Sequence, residues 1–271
     1  MSYEIGQAKA LGVNSKTSSN ADISARLPEQ CSVPGYWNSL AQNADSWASE
    51  ITAGPLWREV NHELEGWKKE YRRKFLGTLN TGEALAPFIG KSADRIQEKT
   101  LEKIRRAKDI ETEVKAIFDQ SVPVPRIEDL VRVRLKVQFL DGVPFLATKI
   151  HDVAKKYDGN AEIEPKGNLN GYFAQHLRFR LPVYFRFGGQ PISCDVTCEV
   201  QIATALATHV WENSHGLYEN TRVNLEKSED WQWNPRDPRF LSRQLGHMIH
   251  LADGLFCNLR DISGNENARK E

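Results

Sequence analysis

A mixed α/β domain with helical additions at both ends is predicted by two alternating runs and one helical stripe. Leu130-Val131-Arg132-Val133-Arg134-Leu135-Lys136-Val137 alternates apolar and basic residues, and Cys194 to Ile202 sets apolar residues between Asp195, Thr197, Glu199 and Gln201. A two-residue period is that of a strand. Trp57, Val60, Leu64, Trp67, Tyr71 and Phe75 recur instead at three- and four-residue steps, the period of an amphipathic helix. Together these imply a mixed sheet of about four or five strands flanked by helices.

In chain order, residues 1–30 are rich in Ser, Asn, Ala and Lys without periodicity and read as a flexible arm. Residues 31–84 form an N-terminal helical region, with a break at Gly77 to Gly82. A charge-rich helix is expected from about Ser92 to Phe118, ended by Pro123 and Pro125. The Leu130–Val137 strand follows, then a turn at Asp141-Gly142 and a helix carrying Phe145, Leu146, Ile150 and Val153, closed by Asp158-Gly159-Asn160. A loop with Pro165 to Gly171 leads into strand-rich sequence from Tyr172 to Phe187, a Gly188-Gly189 turn, the Cys194–Ile202 strand and a helix from Ala203 to Tyr218. The central unit spans 85–225. A C-terminal helical region, 226–271, carries Leu241, Leu245, Met248, Ala252, Leu255 and Leu259 as a stripe that needs a partner surface. Asp237-Pro238 suits its start.

With 271 residues, 40% hydrophobic and 27% charged, the chain has the composition of a soluble globular protein. Lysine plus arginine equal aspartate plus glutamate at 36 each, so net charge gives no support for bulk attraction to nucleic acid or membrane; a local basic cleft remains open. The N-terminus lacks the apolar core of a signal peptide, and no run is long enough to span a bilayer. Cys194 and Cys198 share a strand face roughly 13 Å apart, too far for one disulfide or one zinc. Reduced core cysteines and a cytoplasmic location are expected.

Chemistry concentrates in three segments. In the Cys194–Ile202 strand, Glu199 and Gln201 share a face with Asp195 and Thr197, and a mid-strand carboxylate between apolar neighbours is costly to bury without a counter-charge. Asp129 stands at the mouth of the other strand. Two such carboxylates are the usual protein ligands of magnesium at a phosphate site. The segment from Lys166 through Asn170-Gly171-Tyr172 to His176 supplies a cation, a close-approach glycine and an aromatic ring for stacking. No Walker lysine motif and no GxGxxG fingerprint occurs, which argues against P-loop and Rossmann sites.

Glu128-Asp129-Leu130, Lys166 to His176, and Glu199-Val200-Gln201-Ile202, followed by Trp211-Glu212 and His215-Gly216-Leu217-Tyr218, occur in the order seen in the RelA/SpoT synthetase domain. The chain resembles that family, including its small single-domain members, over roughly residues 85 to 220. The resemblance implies a nucleotidyltransferase-like fold and transfer of pyrophosphate from ATP to a ribose 3′-hydroxyl with Mg²⁺. By that likeness Asp129 holds the metal, and Glu199 is the general base and a further metal contact. Tyr172 stacks on the acceptor base. Lys166, Asn170, His176 and Gln201 hold acceptor or donor phosphates. Lys91, Ser92, Arg95, Lys99 and Arg134 form the ATP side. Three family arginines are absent: Phe173, Ala203 and Ile89 stand in their places. That leaves the acceptor open among GDP or GTP, an adenosine nucleotide and the 3′ end of tRNA, the last two being acceptors of toxic relatives. A neutralising antitoxin or regulatory protein is then an expected partner.

Arg178, Arg180 and Arg186, or Lys103, Arg105, Arg106 and Lys108, are the cations that would guide a tRNA. The contrasting reading is a decayed synthetase fold retained as a nucleotide- or protein-binding module. His247 and His250 have a spacing compatible with a metal site but read more simply as a helix-surface pair. Trp231 and Trp233 read as a partner-binding loop or as packing aromatics.

Overall fold

The computed structural model describes residue 23 and residues 26–119, 122–167, 171–213 and 229–268. Helix α1 (Tyr36–Thr52) buries Tyr36, Leu40, Ala44, Trp47 and Ile51 along one face. Helix α2 (Pro55–Phe75) starts with proline at its first turn, where no amide partner is needed. It buries Leu56, Trp57, Val60, Leu64, Trp67 and Tyr71, the stripe visible in the sequence. Full burial of side chains such as Trp47 and Trp57 contributes roughly 2–3 kcal/mol each. Ile23, in the stretch expected to be a flexible arm, is also fully buried.

Strand β1 (Ile89–Gly90) precedes helix α3 (Ala93–Arg106) and helix α4 (Ile110–Ile117). The charge-rich stretch expected to be one helix is therefore two. Ala107 turns extended, and Asp109 restarts the helix by accepting hydrogen bonds from the backbone N–H groups of Glu111 and Thr112. Strands β2 (Phe118–Asp119) and β3 (Val122–Pro125) form a small antiparallel ribbon.

The main sheet adds β4 (Val131–Val137), β5 (Glu162–Lys166), β6 (Ala174–Phe185) and β7 (Ile192–Thr204), in the order β1-β4-β7-β6-β5. Helix α5 (Gly142–Ala154) connects β4 to β5. The central β4–β7 pair is parallel; the others are antiparallel. The fold class is thus the mixed α/β sheet expected. β5 was not foreseen: its Glu162-Ile163-Glu164-Pro165-Lys166 lies at the sheet edge, where proline and charge are tolerated. Ala203 and Thr204 extend β7 rather than opening the next helix, α6 (205–213). The rest of that expected helix, including His215 to Tyr218, lies outside the described residues.

One sheet face carries Val131, Val133, Leu135, Leu177, Phe179, Cys198, Val200 and Ile202 into the core. α1 is tied to the β6 end by polar bonds. Trp47 Nε1 donates to Tyr184 O at 3.0 Å, and Asn43 exchanges two 2.9 Å bonds with the backbone of Arg186. All four cysteines are free, and burial pushes the Cys198 thiol far up. Among the described residues no helix is long and apolar enough to cross a membrane.

Helix α7 (Pro238–Ala268) departs furthest from expectation. Asp253, Arg260 and Gly264 meet the domain, while Leu241, Leu245, Met248, Leu255, Leu259 and Ile262 are 41–66% exposed. The stripe that demands a partner surface is turned away from the sheet and its described helices.

Candidate active site

The site lies on the other face of the sheet, and strand register builds it. Glu162, Arg178, Glu199 and Arg132 stand in one row across β5, β6, β7 and β4. Glu164, His176, Gln201 and Arg134 stand in the next. Each residue shares its face because side chains alternate at a two-residue period. α3 contributes Lys99 and α6 contributes Trp211 and Glu212 to the rim of a cavity of about 540 Å³, the size of an ordinary small-ligand cleft. Glu128, Asp129, Lys166 and Tyr172 complete its lining.

Glu199 is 4% exposed. Its Oε2 meets His176 Nδ1 at 3.1 Å and Arg178 Nε at 3.2 Å, and its Oε1 accepts from Gln201 Nε2 at 2.6 Å. Burial alone would raise its pKa, but His176, Gln201 and Arg178 outweigh it and hold the carboxyl down at about 2. Gln201 in turn accepts from Arg134 Nε and Nη2, both at 3.4 Å. His176 Nε2 lies 3.3 Å from the Tyr172 hydroxyl, so tyrosine, imidazole and carboxylate form a chain. The Tyr172 ring also leans on Trp211 at 4.6 Å between centroids. Burial pushes its phenol up to about 12, so it is a neutral hydroxyl at neutral pH.

Asp129 is 5% exposed and sits in the turn before β4. β1 pairs Ile89 with Arg132 and Gly90 with Val131, which carries Lys91 to it. A side chain at Gly90 would strike Ala44 and Asp45, so glycine permits α1 to lie against β1. Lys91 Nζ bonds Asp129 Oδ2, and Lys99 Nζ bonds Oδ1, both at 2.6 Å. Burial would raise the Asp129 pKa; Lys99 and Lys91 reverse that and lower it. Burial lowers the pKa of Lys91 despite Asp129.

The structure thus brings together Asp129, Glu199, Tyr172, Lys166, His176, Gln201, Lys91, Lys99 and Arg134. Ser92 holds the N-terminal end of α3, where its carbonyl accepts from Ile96 N at 2.9 Å. Arg95 is exposed on α3, paired with Glu98 at 2.9 Å, and does not line the cavity. Asn170 lies outside the described residues. Sequence reasoning left Arg178 out of this site. It meets Glu164 at 2.7 Å, Glu128 at 2.9 Å and Glu199 at 3.2 Å. Its parity with His176 on one strand was the available signal.

The three positions that lack the family arginine have other employments. Phe173 stacks flat on His250 of α7, Ala203 is buried in β7, and Ile89 is exposed beside Arg132. His247 and His250 therefore serve packing around Phe173. Trp231 lies under the Arg243 guanidinium at 3.9 Å, while Trp233 is exposed.

Among the described residues no group of three or more His, Cys, Asp or Glu side chains is placed to hold a metal by itself. Two ionised carboxylates facing one cavity nevertheless fit magnesium, which keeps several waters and takes further ligands from substrate phosphates.

No family model matches the chain, and no curated protein matches it. Solved structures similar to it include the small alarmone synthetase 1 of Bacillus subtilis bound to its product pppGpp, at 15% identity and TM-score 0.48, covering 84% of this chain and 97% of that one. A GTP pyrophosphokinase family protein from Streptococcus pneumoniae has 17% identity and TM-score 0.49, covering 86% and 96%. The small alarmone synthetase 2 of B. subtilis has 15% identity and TM-score 0.42, covering 76% and 96%.

Proposed function

We propose that this chain transfers pyrophosphate from ATP to a ribose hydroxyl of a nucleotide or of a nucleotide-ended acceptor. The observation that carries the reading is the pair of buried, ionised carboxylates, Asp129 and Glu199, set in one cavity among six basic side chains. Such transfer is mostly positioning and charge neutralisation and needs no protein nucleophile.

In this reading Lys91, Lys99 and the α3 N-terminus around Ser92 take the donor phosphates, releasing the two lysines from Asp129. Asp129, with Glu199, would hold Mg²⁺, which would supply charge neutralisation at the donor phosphates. Tyr172 and Trp211 offer ring faces to the acceptor base. Lys166, His176 and Arg134, with Gln201, hold phosphates. The acceptor oxygen bonds to the β-phosphorus of ATP, the bond from that phosphorus to the α-phosphate oxygen breaks, and AMP leaves. The hydroxyl proton passes to Glu199, which His176 keeps oriented.

The test incubates the protein with Mg²⁺ and ATP labelled in its terminal phosphates, offering GDP, GTP, ADP, ATP and deacylated tRNA in parallel. Label in one acceptor, lost with Glu199→Gln, supports the reading and identifies the acceptor. No label in any acceptor, from folded protein, favours the binding module.

A further inference from the structure

The row that crosses the sheet at Glu199 runs Glu162, Arg178, Glu199, Arg132 and Ile89 over β5, β6, β7, β4 and β1. Arginines therefore flank Glu199 from both neighbouring strands, and they are not alike. Arg178 meets Glu128, Glu162, Glu164 and Glu199, so carboxylates of the protein already surround it. Arg132 stands half-buried in the cavity lining, and its side chain makes no ion pair or hydrogen bond among the described residues.

The other lysines and arginines of the lining are engaged. Lys99 is bound by Asp129 and Lys166 by Glu164, and Arg134 reaches Glu212 at 3.5 Å. Neither buried carboxylate has an oxygen to spare for Arg132. Lys91 and Lys99 take both oxygens of Asp129; His176, Arg178 and Gln201 take both of Glu199. Ile89, opposite on β1, is apolar.

A guanidinium cannot shed its proton to escape such a place. A partly desolvated cation without a counter-charge is a cost to the ligand-free fold, and an anion entering the cavity removes it. The planar fork of arginine matches the oxygens of a phosphate. The field of Arg132 also reaches both halves of the site. Burial is the main cause that lowers the Lys91 pKa, with Asp129 opposing, and the positive charges of Lys99 and Arg132 add to the fall. Burial raises the Tyr172 phenol, and Arg134 and Arg132 draw it back. Lys91 belongs to the donor side and Tyr172 to the acceptor side, so Arg132 lies where the transferred group must cross.

We propose, resting on the pyrophosphate-transfer reading, that Arg132 holds the pyrophosphoryl group in transit, its guanidinium engaging oxygens of the donor's β- and γ-phosphates. It stays charged throughout. The bond from the β-phosphorus to the α-phosphate oxygen breaks, the bond to the acceptor oxygen forms, and the hydroxyl proton goes to Glu199. Stabilising charge at the moving group in this way is the common task of arginine in phosphoryl transfer.

Calorimetric binding of α,β-methylene-ATP and of AMP to the full chain, each with Mg²⁺, tests the assignment. Arg132→Met keeps the aliphatic stem and removes the charge. It should weaken the triphosphate analogue roughly 10- to 100-fold and leave AMP unchanged. Lys136→Met, further along the same face of β4 and paired with Glu212, removes an equal charge and should leave the analogue unchanged. In urea, ligand-free Arg132→Met should be at least as stable as the wild type, because its repulsion with Lys91 is gone. Analogue binding that survives Arg132→Met overturns the proposal. So does equal weakening by Lys136→Met, which would mean a general field rather than a contact. A less stable Arg132→Met would make the arginine a structural residue and overturn it too. Label transfer by the wild type is scored apart: its absence, with analogue binding still dependent on Arg132, overturns the reaction and not the contact.

Discussion

His250 lies flat on Phe173, with ring centroids 3.8 Å apart and planes 6° from parallel. Phe173 directly follows Tyr172, so the C-terminal helix braces the segment that presents the Tyr172 ring to the cavity. Phe173→Ala should cost about 1–3 kcal/mol of stability in urea unfolding. It should also raise KM for the acceptor more than for ATP. Equal effects on both substrates would argue against a brace specific to Tyr172.

His176 is the main group holding the Glu199 carboxyl down. Its replacement by alanine should let that pKa climb from about 2 toward 4.5. The acid limb of the kcat profile should shift upward; the carboxylate stays ionised at neutral pH, so the drop of about 10²-fold expected there comes from its lost orientation. An unmoved acid limb would separate His176 from the chemistry.

The depressed Glu199 pKa also makes stability pH-dependent. Protons bind the unfolded carboxyl near 4.5 but the folded one only near 2. The contribution is complete above 4.5 and disappears as pH falls through about 2; it is on the order of 3 kcal/mol. Asp129, also depressed, has the same sign. Acid titration by circular dichroism should show a shallower loss for Glu199→Gln than for the wild type.

Lys91 and Asp129 form a pair with both side chains under 10% exposed. Asp129→Asn leaves Lys91 buried beside Lys99 and should cost about 3 kcal/mol. Adding Lys91→Met should recover at least 1 kcal/mol of that in a double-mutant cycle measured by denaturant unfolding. Strict additivity would contradict the pairing.

Arg260 joins α7 to the domain through Asp141, and Tyr71 donates to the same carboxylate. Arg260→Met should lower stability by about 2 kcal/mol, allowing for the partial exposure of Asp141. Faster amide exchange across residues 238–268 should accompany it. Protection unchanged along α7 would mean that other contacts hold the helix.

Periodicity made β4, β7, α2 and α5 legible, because each has one buried face and a regular repeat. It was poorer where polar residues work through tertiary contacts. α1 carries Asn38, Ser39, Asn43, Ser46 and Ser49, weak helix formers, and the sequence places it in the helical region 31–84 without giving it bounds of its own. Yet Tyr36, Leu40, Ala44, Trp47 and Ile51 keep helical spacing, and Asn43 is spent on the backbone of Arg186. β5 hid behind Pro165 and three charges. Asp129 and Glu199 were readable as carboxylates at telling strand positions. Arg178 was not, because its four carboxylate partners, Glu128, Glu162, Glu164 and Glu199, come from the turn before β4, from β5 and from β7, and only the register brings them together.

The parallel union of β4 with β7 also sets when the site can exist. Val131 must find Cys198 across α5, β5 and β6, and that pairing closes the longest loop in the sheet. A chain emerging from the ribosome holds Asp129, Lys91 and Lys99 early but has no place for Glu199 until β7 is released. Activity would then arise in one late step of synthesis, and truncated products ending before Glu199 would be inert.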